Sequence, residues 1–190
     1  MKRALDIIMS LSAIIVLSPV FLITALIVLF SDGTPVIYRQ KRVGKDARLF
    51  TIYKFRTMKN GTRLAATNEL KESQNQITSC GGFLRKTSLD ELPQLFNILN
   101  GDMSFVGPRP LIPEEEDIHK LRLEHGVYAV RPGLTGLAQV NGRDKVSIEE
   151  KVRLDSEYVN SRTLRLDIKI FFKTFINVLK MSDVVEGGHS

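Results

Sequence analysis

Read for its apolar and polar positions, the chain opens with "ALDIIMSLSAIIVLSPVFLITALIVLF", residues 4 to 30, in which Asp6 is the only charge. The 24 residues from Ile7 to Phe30 make about 36 Å of helix at 1.5 Å per residue, enough for a bilayer core of about 30 Å. A secretory signal would carry a shorter apolar part, about 7–15 residues, and a small-residue cleavage site. Here "FSDGTPV" follows, so the segment is expected to stay in the membrane.

Whether it crosses is decided by its flanks. Lys2 and Arg3 precede it; Arg39, Lys41, Arg42, Lys45 and Arg48 follow. Lys/Arg excess marks the cytoplasmic side, so positive charge at both ends argues that both ends lie there. Ser18-Pro19 falls at the midpoint. Pro19 offers no N–H to the Ile15 carbonyl and kinks a helix, while the Ser18 hydroxyl can reach back one turn to satisfy it. The pattern favours a re-entrant helix-break-helix over residues 1–32. A plain spanning helix with a tolerated proline is the alternative.

"PVIYRQKRVGKDARLFTIYKFRTM", residues 35–58, holds two β-rich runs around Gly44 to Arg48 and predicts a hairpin. Residues 59–80 are polar and lack aromatics, an excursion with one short helix around 64–72. "IPEEEDIHKLRLEHG" predicts a helix opened by Pro113 and acidic residues and stopped at Gly126. Ser147-x-x-Glu150 is a capping box opening a helix over 148–160. In "LDIKIFFKTFINVLK", Ile168, Phe171, Phe172, Phe175 and Leu179 share one helical face flanked by Lys169, Lys173 and Lys180. That spacing suits a membrane surface and a core-packing helix equally. The expected fold is α/β of mainly helical content: the re-entrant head, then a globular domain over 33–185 with a short β-hairpin and interfacial amphipathic helices, then a tail at 186–190.

Composition adds little to this except sign. The 190 residues suit one domain, and the net charge of +6 admits nucleic acid, anionic lipid or a phosphorylated substrate as partner. The single cysteine, Cys80, excludes an internal disulfide and reads as a plain small residue. The arginines are not interleaved with aromatics, and the apolar head points to lipid, so no nucleic-acid partner is expected.

The candidate chemistry centres on "TSLDELPQLFNIL", residues 87–99, where Asp90 and Glu91 stand in an otherwise mostly apolar stretch. Ser88-x-x-Glu91 fits a capping box, and Asp90 could cap a helix carrying Pro93 in its first turn. An aspartate at such a turn can also act as a nucleophile or hold Mg²⁺. Arg85 stands just upstream, Arg109 lies between prolines in "VGPRPLIP", Arg131 in "VRPGLTGLAQV" and Arg143 in "NGRD". Proline-stiffened loops present guanidinium groups at low ordering cost, and guanidinium binds phosphate bidentately. There is no G-x-x-x-x-G-K-[ST] loop, no G-x-G-x-x-G and no Asp-x-Asp. His119 and His125 read as solvated helix residues and not as zinc ligands.

The head with Ser18-Pro19, "YKFRTM", "GGFLRKTSLDELPQLFNILNGDMSFVGPRP", "VRPGLTGLAQVNGR" and "LDSEYVNSRTLRLDIKI" together resemble the bacterial sugar transferases, the monotopic phosphoglycosyl transferases, over residues 1 to about 180. The resemblance implies transfer of a sugar-1-phosphate from a UDP-sugar to polyprenol (undecaprenyl) phosphate, with UMP released, at the cytoplasmic face of the bacterial inner membrane. It implies Asp90 as the nucleophile that forms a covalent phosphosugar and as a ligand of Mg²⁺. Glu91 would assist with a proton or the metal. Arg85 and Arg109 would stand at the phosphates, and Arg131 and Arg143 on the nucleotide side. Asp155 and Asp167 match acidic positions of the family and serve equally well as partners of arginines. Self-association or contact with later pathway enzymes is a further expectation. A lipid-linked glycosyltransferase that releases UDP and a membrane-anchored adaptor without turnover are the competing readings.

Overall fold

The computed structural model describes residues 1–59, 76–142 and 146–179. The helix expected at 64–72, Arg143, Lys180 and the tail lie outside these residues.

The head consists of α1 (Lys2–Val16) and α2 (Ser18–Asp32), which meet at 63° across Leu17. The cause is local. Pro19 cannot donate to the Ile15 carbonyl, and the Ser18 hydroxyl donates to it instead at 2.8 Å. Among the described residues no single helix is long and apolar enough to cross a membrane, although the bent pair together meets that standard. Ile8, Val16, Leu22, Ile23 and Phe30 face outward.

Both ends of the pair are bonded to the same globular body. Lys2 Nζ lies 2.6 Å from Asp167 Oδ2, and the Arg3 guanidinium donates to the Ile98 and Leu99 carbonyls at 2.5 and 2.8 Å. Asp6, the one charge of the apolar run, is buried and accepts from Ser104 Oγ at 3.1 Å and the Phe105 amide at 3.2 Å. At the far end, buried Arg56 donates to the carbonyls of Asp32 and Gly33 at 2.6 and 2.8 Å, closing the C-terminus of α2.

The hairpin forms as expected: β1 (Ile37–Val43) runs antiparallel to β2 (Leu49–Phe55), Ile37 opposite Phe55 and Val43 opposite Leu49. Then come α3 (Gly81–Lys86), a 3₁₀ turn at Leu89–Glu91, and α4 (Gln94–Asn100), which ends at Gly101 with φ +97°. A second pair of strands, β3 (Ser104–Val106) and β4 (Gly133–Thr135), runs parallel. Strands of three residues are too short to show a period of two, which is why the sequence pattern misses them. α5 (Glu116–Glu124) starts later than Pro113 because Glu115 has non-helical dihedrals, and the chain reverses at Gly126 with φ +67°. α6 (Leu137–Val140) is short. α7 (Ile148–Ser161) carries the expected cap, Ser147 Oγ accepting from the Glu150 amide at 3.2 Å. α8 (Leu164–Leu179) closes the described chain.

Ile52, Leu95, Ile98, Met103, Phe105, Val106, Tyr158 and Ile170 form the main core, and Ala13, Ile14, Leu17 and Phe21 of the head pack on it. The architecture is therefore mainly helical α/β with a short antiparallel sheet. Among the described side chains of α8 only Ile170 is fully buried, while Ile168, Phe172, Phe175 and Ile176 stay exposed. The phenylalanine-rich face is thus not a core face. His119 corrects its expectation: its ring bonds the Tyr128 hydroxyl and, at 2.7 Å, the Ile112 carbonyl, so it is a structural residue and not a solvated one.

Candidate active site

The acidic pair does not cap a helix. Ser88 adopts a left-handed conformation, φ +56°, and its side chain accepts no cap bond; α4 begins only beyond Pro93. A capping serine needs extended dihedrals, as Ser147 has, and at Ser88 the chain is instead turning sharply. The turn is pinned from below, because Leu89 and Leu92 pack against Val28 of α2, Phe55 of β2 and Leu84 of α3. With those leucines inside, Asp90 is left only 7% exposed and Glu91 faces the cations.

Three elements supply those cations. Lys54 of β2 lies 2.7 Å from Glu91 Oε1, and Arg109, in the loop after β3, lies 3.5 Å from the same oxygen. Arg85 of α3 donates through Nε to Thr57 Oγ1 at 2.9 Å, which orients its guanidinium beside Asp90. Burial pushes the Asp90 carboxyl up to about 6; Lys54 is the strongest opposing influence, Glu91 adds to the rise, and Arg85 and Arg109 hold it down. Asp90 is therefore mostly ionised at neutral pH yet more basic than an exposed aspartate, a property suited to a nucleophile.

The Arg109 loop crosses the β3–β4 pair at close range. The Gly107 amide donates to the Thr135 carbonyl and the Gly133 amide to the Pro108 carbonyl, both at 2.9 Å. A Cβ on Gly133 would lie 2.1 Å from the Gly107 nitrogen, so only glycine permits that approach.

Arg85 and Arg109 thus join Asp90 and Glu91. Arg131 does not: its Nε donates to the Gly101 carbonyl at 2.7 Å, beside Arg3, at the end of α4 remote from the dyad. That helix has seven residues, about 10 Å. Asp155 bonds buried Arg122 and Asp167 bonds Lys2 and the Tyr158 hydroxyl, so both acidic positions have structural partners.

An apolar groove of about 680 Å³ lies between the bend of the head, the hairpin and the start of α4, lined by Ser18, Phe21, Leu22, Tyr53, Pro93 and Phe96 among others. Among the described residues no three His, Cys, Asp or Glu side chains gather as a metal cage. Mg²⁺ commonly takes one or two carboxylates and fills its shell with water and substrate phosphates, so the hard oxygens of Asp90 and Glu91 suit it.

Comparison with known proteins bears on the same region. The model of the bacterial sugar transferase family matches residues 1–181. The chain belongs to that family. The exopolysaccharide production protein ExoY of Sinorhizobium fredii is 41% identical over 188 residues, covering 91% of this chain and 83% of its own. The undecaprenyl-phosphate galactose phosphotransferase of Salmonella typhimurium is 41% identical over 95% of this chain. The UDP-glucose:undecaprenyl-phosphate glucose-1-phosphate transferase of Escherichia coli is 39% identical over 92% of it. This sugar transferase spans 40% and 39% of the lengths of those last two relatives.

Sequence reasoning missed Lys54, Thr57 and Arg122. Lys54 and Thr57 both sit in "YKFRTM", and the signal available was a lysine inside an otherwise apolar strand end. Nothing in the pattern of α5 marks Arg122 as buried.

Proposed function

We propose that the protein transfers a sugar-1-phosphate from a UDP-sugar to undecaprenyl phosphate, releasing UMP and leaving undecaprenyl-diphosphate-sugar. The observation that carries this reading is a nearly buried, basic aspartate among Lys54, Arg85 and Arg109, three residues before Pro93, which lines an apolar groove shared with the head. An Asp90 oxygen attacks the β-phosphorus of the donor, the bond from that phosphorus to the α-phosphate bridging oxygen breaks, and UMP departs. A phosphate oxygen of the lipid acceptor then attacks the aspartyl phosphosugar and expels the Asp90 carboxylate. Two displacements through one nucleophile replace a single encounter of two anionic substrates.

The chain's own part is positioning and charge. Arg109 and Arg85 bind and orient the diphosphate, and Lys54 fixes Glu91 beside it. Asp90 and Glu91 would hold Mg²⁺, whose contribution is to neutralise charge on the transferring phosphate and on UMP. The groove takes the first isoprene units of the acceptor.

A re-entrant head belongs to this reading. Lys2 and Arg3 at one end and Asp32 and Gly33 at the other are bonded to one body, which supports both ends lying on the cytoplasmic face of the inner membrane. The exposed Phe172 and Phe175 of α8 rest at the same surface.

The test is nucleotide release by detergent-purified protein supplied with Mg²⁺, undecaprenyl phosphate and a panel of UDP-sugars. UMP released with one sugar, dependent on metal and lipid, is the expected result. UDP would indicate a glycosyltransferase, and no nucleotide from a folded protein would favour the adaptor.

A further inference from the structure

The loop that presents Arg109 cannot hold itself. Pro108 and Pro110 flank the arginine and have no amide to donate, so the orientation of the loop depends on what its carbonyls accept. Four successive carbonyls are taken from outside. Pro108 accepts from the Gly133 amide at 2.9 Å, Arg109 from Arg122 Nη1 at 2.8 Å, Pro110 from Arg42 Nη1 at 3.3 Å, and Leu111 from the Val43 amide at 3.0 Å. The bond to Arg109 itself is the one made by an ion pair. Arg122 Nη2 lies 2.6 Å from Asp155 Oδ2, with the two side chains 4% and 2% exposed.

Burying such a pair is a poor way to stabilise a protein. Desolvation offsets most of the attraction, and well-packed apolar residues often serve the fold as well or better. What an apolar pair cannot do is donate to a carbonyl. Asp155, on α7, fixes the guanidinium of Arg122, on α5, so that its second nitrogen points at the residue carrying the phosphate-facing arginine.

We propose that Arg122, oriented by Asp155, is a positioning residue for Arg109 and sets where the Arg109 guanidinium stands relative to Glu91 and the donor phosphates. The phosphate half of this statement rests on the proposed function; the placement of the loop does not.

The experiment uses the full chain in detergent with Arg122→Met/Asp155→Leu, which removes both charges and leaves neither unpaired. The expected outcome is a melting temperature close to that of the unaltered protein, an unchanged KM for the lipid and a fall in kcat of about 10²-fold. The same pair of changes in an Arg109→Ala background should cost almost nothing further. Amide exchange should quicken at Gly107, Gly133 and Val43, whose N–H groups bond to or from this loop, and remain unaltered in α5 and α7. Arg122→Lys, which retains the charge but not the fork, should fold and lose roughly tenfold in kcat. Activity that returns with stability in the double variant, or a cost of equal size with and without Arg109, overturns the inference. Absence of UMP from the unaltered protein would defeat the proposed function alone, because the exchange measurement still judges the loop.

Discussion

The ring of Phe21, one turn past the bend in the head, meets the ring of Phe96 edge-on, with centroids 5.8 Å apart and planes at 74°. Phe96 lies in α4, just beyond the dyad, and both rings line the apolar groove. The contact ties the proline bend of the head to the first turns of α4, just past the turn that carries Asp90.

Phe96 is partly exposed in that groove, so its loss should tell on the acceptor first. Phe96→Ser is expected to raise the KM for undecaprenyl phosphate about tenfold, from burial worth roughly 1.5 kcal/mol or more. The KM for the UDP-sugar should stay unchanged. Steady-state kinetics with each substrate varied in turn checks this, and equal changes in both constants would speak against a lipid groove.

Burial raises Asp90 from 3.8 to about 6 in the folded protein. A raised carboxyl favours the fold below its unfolded value, and that contribution is lost as pH rises through the folded value. Asp90→Asn removes the loss. Thermal melts in EDTA should show the variant gaining on the unaltered protein between pH 4 and pH 6, then holding a lead of several degrees above pH 6, on the order of 3 kcal/mol at most. A lead independent of pH would place its cause elsewhere.

Lys54 is the strongest influence opposing that rise. Lys54→Gln should move the acidic limb of the pH–rate profile above its normal position near 6. Its kcat/KM should therefore fall more steeply at pH 6 than at pH 8.5, and a loss of the same factor at both would reduce Lys54 to a structural partner of Glu91.

Re-entry predicts one side for both flanks. Single cysteines at Lys2 and Lys45, introduced with Cys80→Ser, should both resist a membrane-impermeant thiol reagent applied to whole cells and react in inverted vesicles. Labelling of position 2 from outside would make the head a spanning helix.

Much of this arrangement was legible in the sequence because it rests on local rules. The two β-rich runs around Gly44 to Arg48 specified the hairpin, Ser147 and Glu150 specified the start of α7, and Ser18-Pro19 specified the bend. The illegible parts depend on tertiary neighbours. Ser88 fits a capping box by spacing, yet its left-handed dihedrals come from the pinning of Leu89 and Leu92 under the turn. Asp6 reads as an unwelcome charge near lipid until Ser104 and the Phe105 amide, about a hundred positions on, are seen to hold it. Arg109 and Arg131 look alike in sequence, each beside proline, but one reaches Glu91 while the other closes the end of α4.

The account turns on Asp90 taking the phosphosugar before the lipid does. Stopped incubation of purified protein with UDP-sugar and Mg²⁺, without any polyprenol phosphate, tests this most directly. The account predicts up to one equivalent of UMP per protein, a protein mass increased by one sugar-phosphate, and neither in Asp90→Asn. A protein that releases no UMP until the lipid is added, and then turns over at full rate with no mass change at any stage, would contradict it.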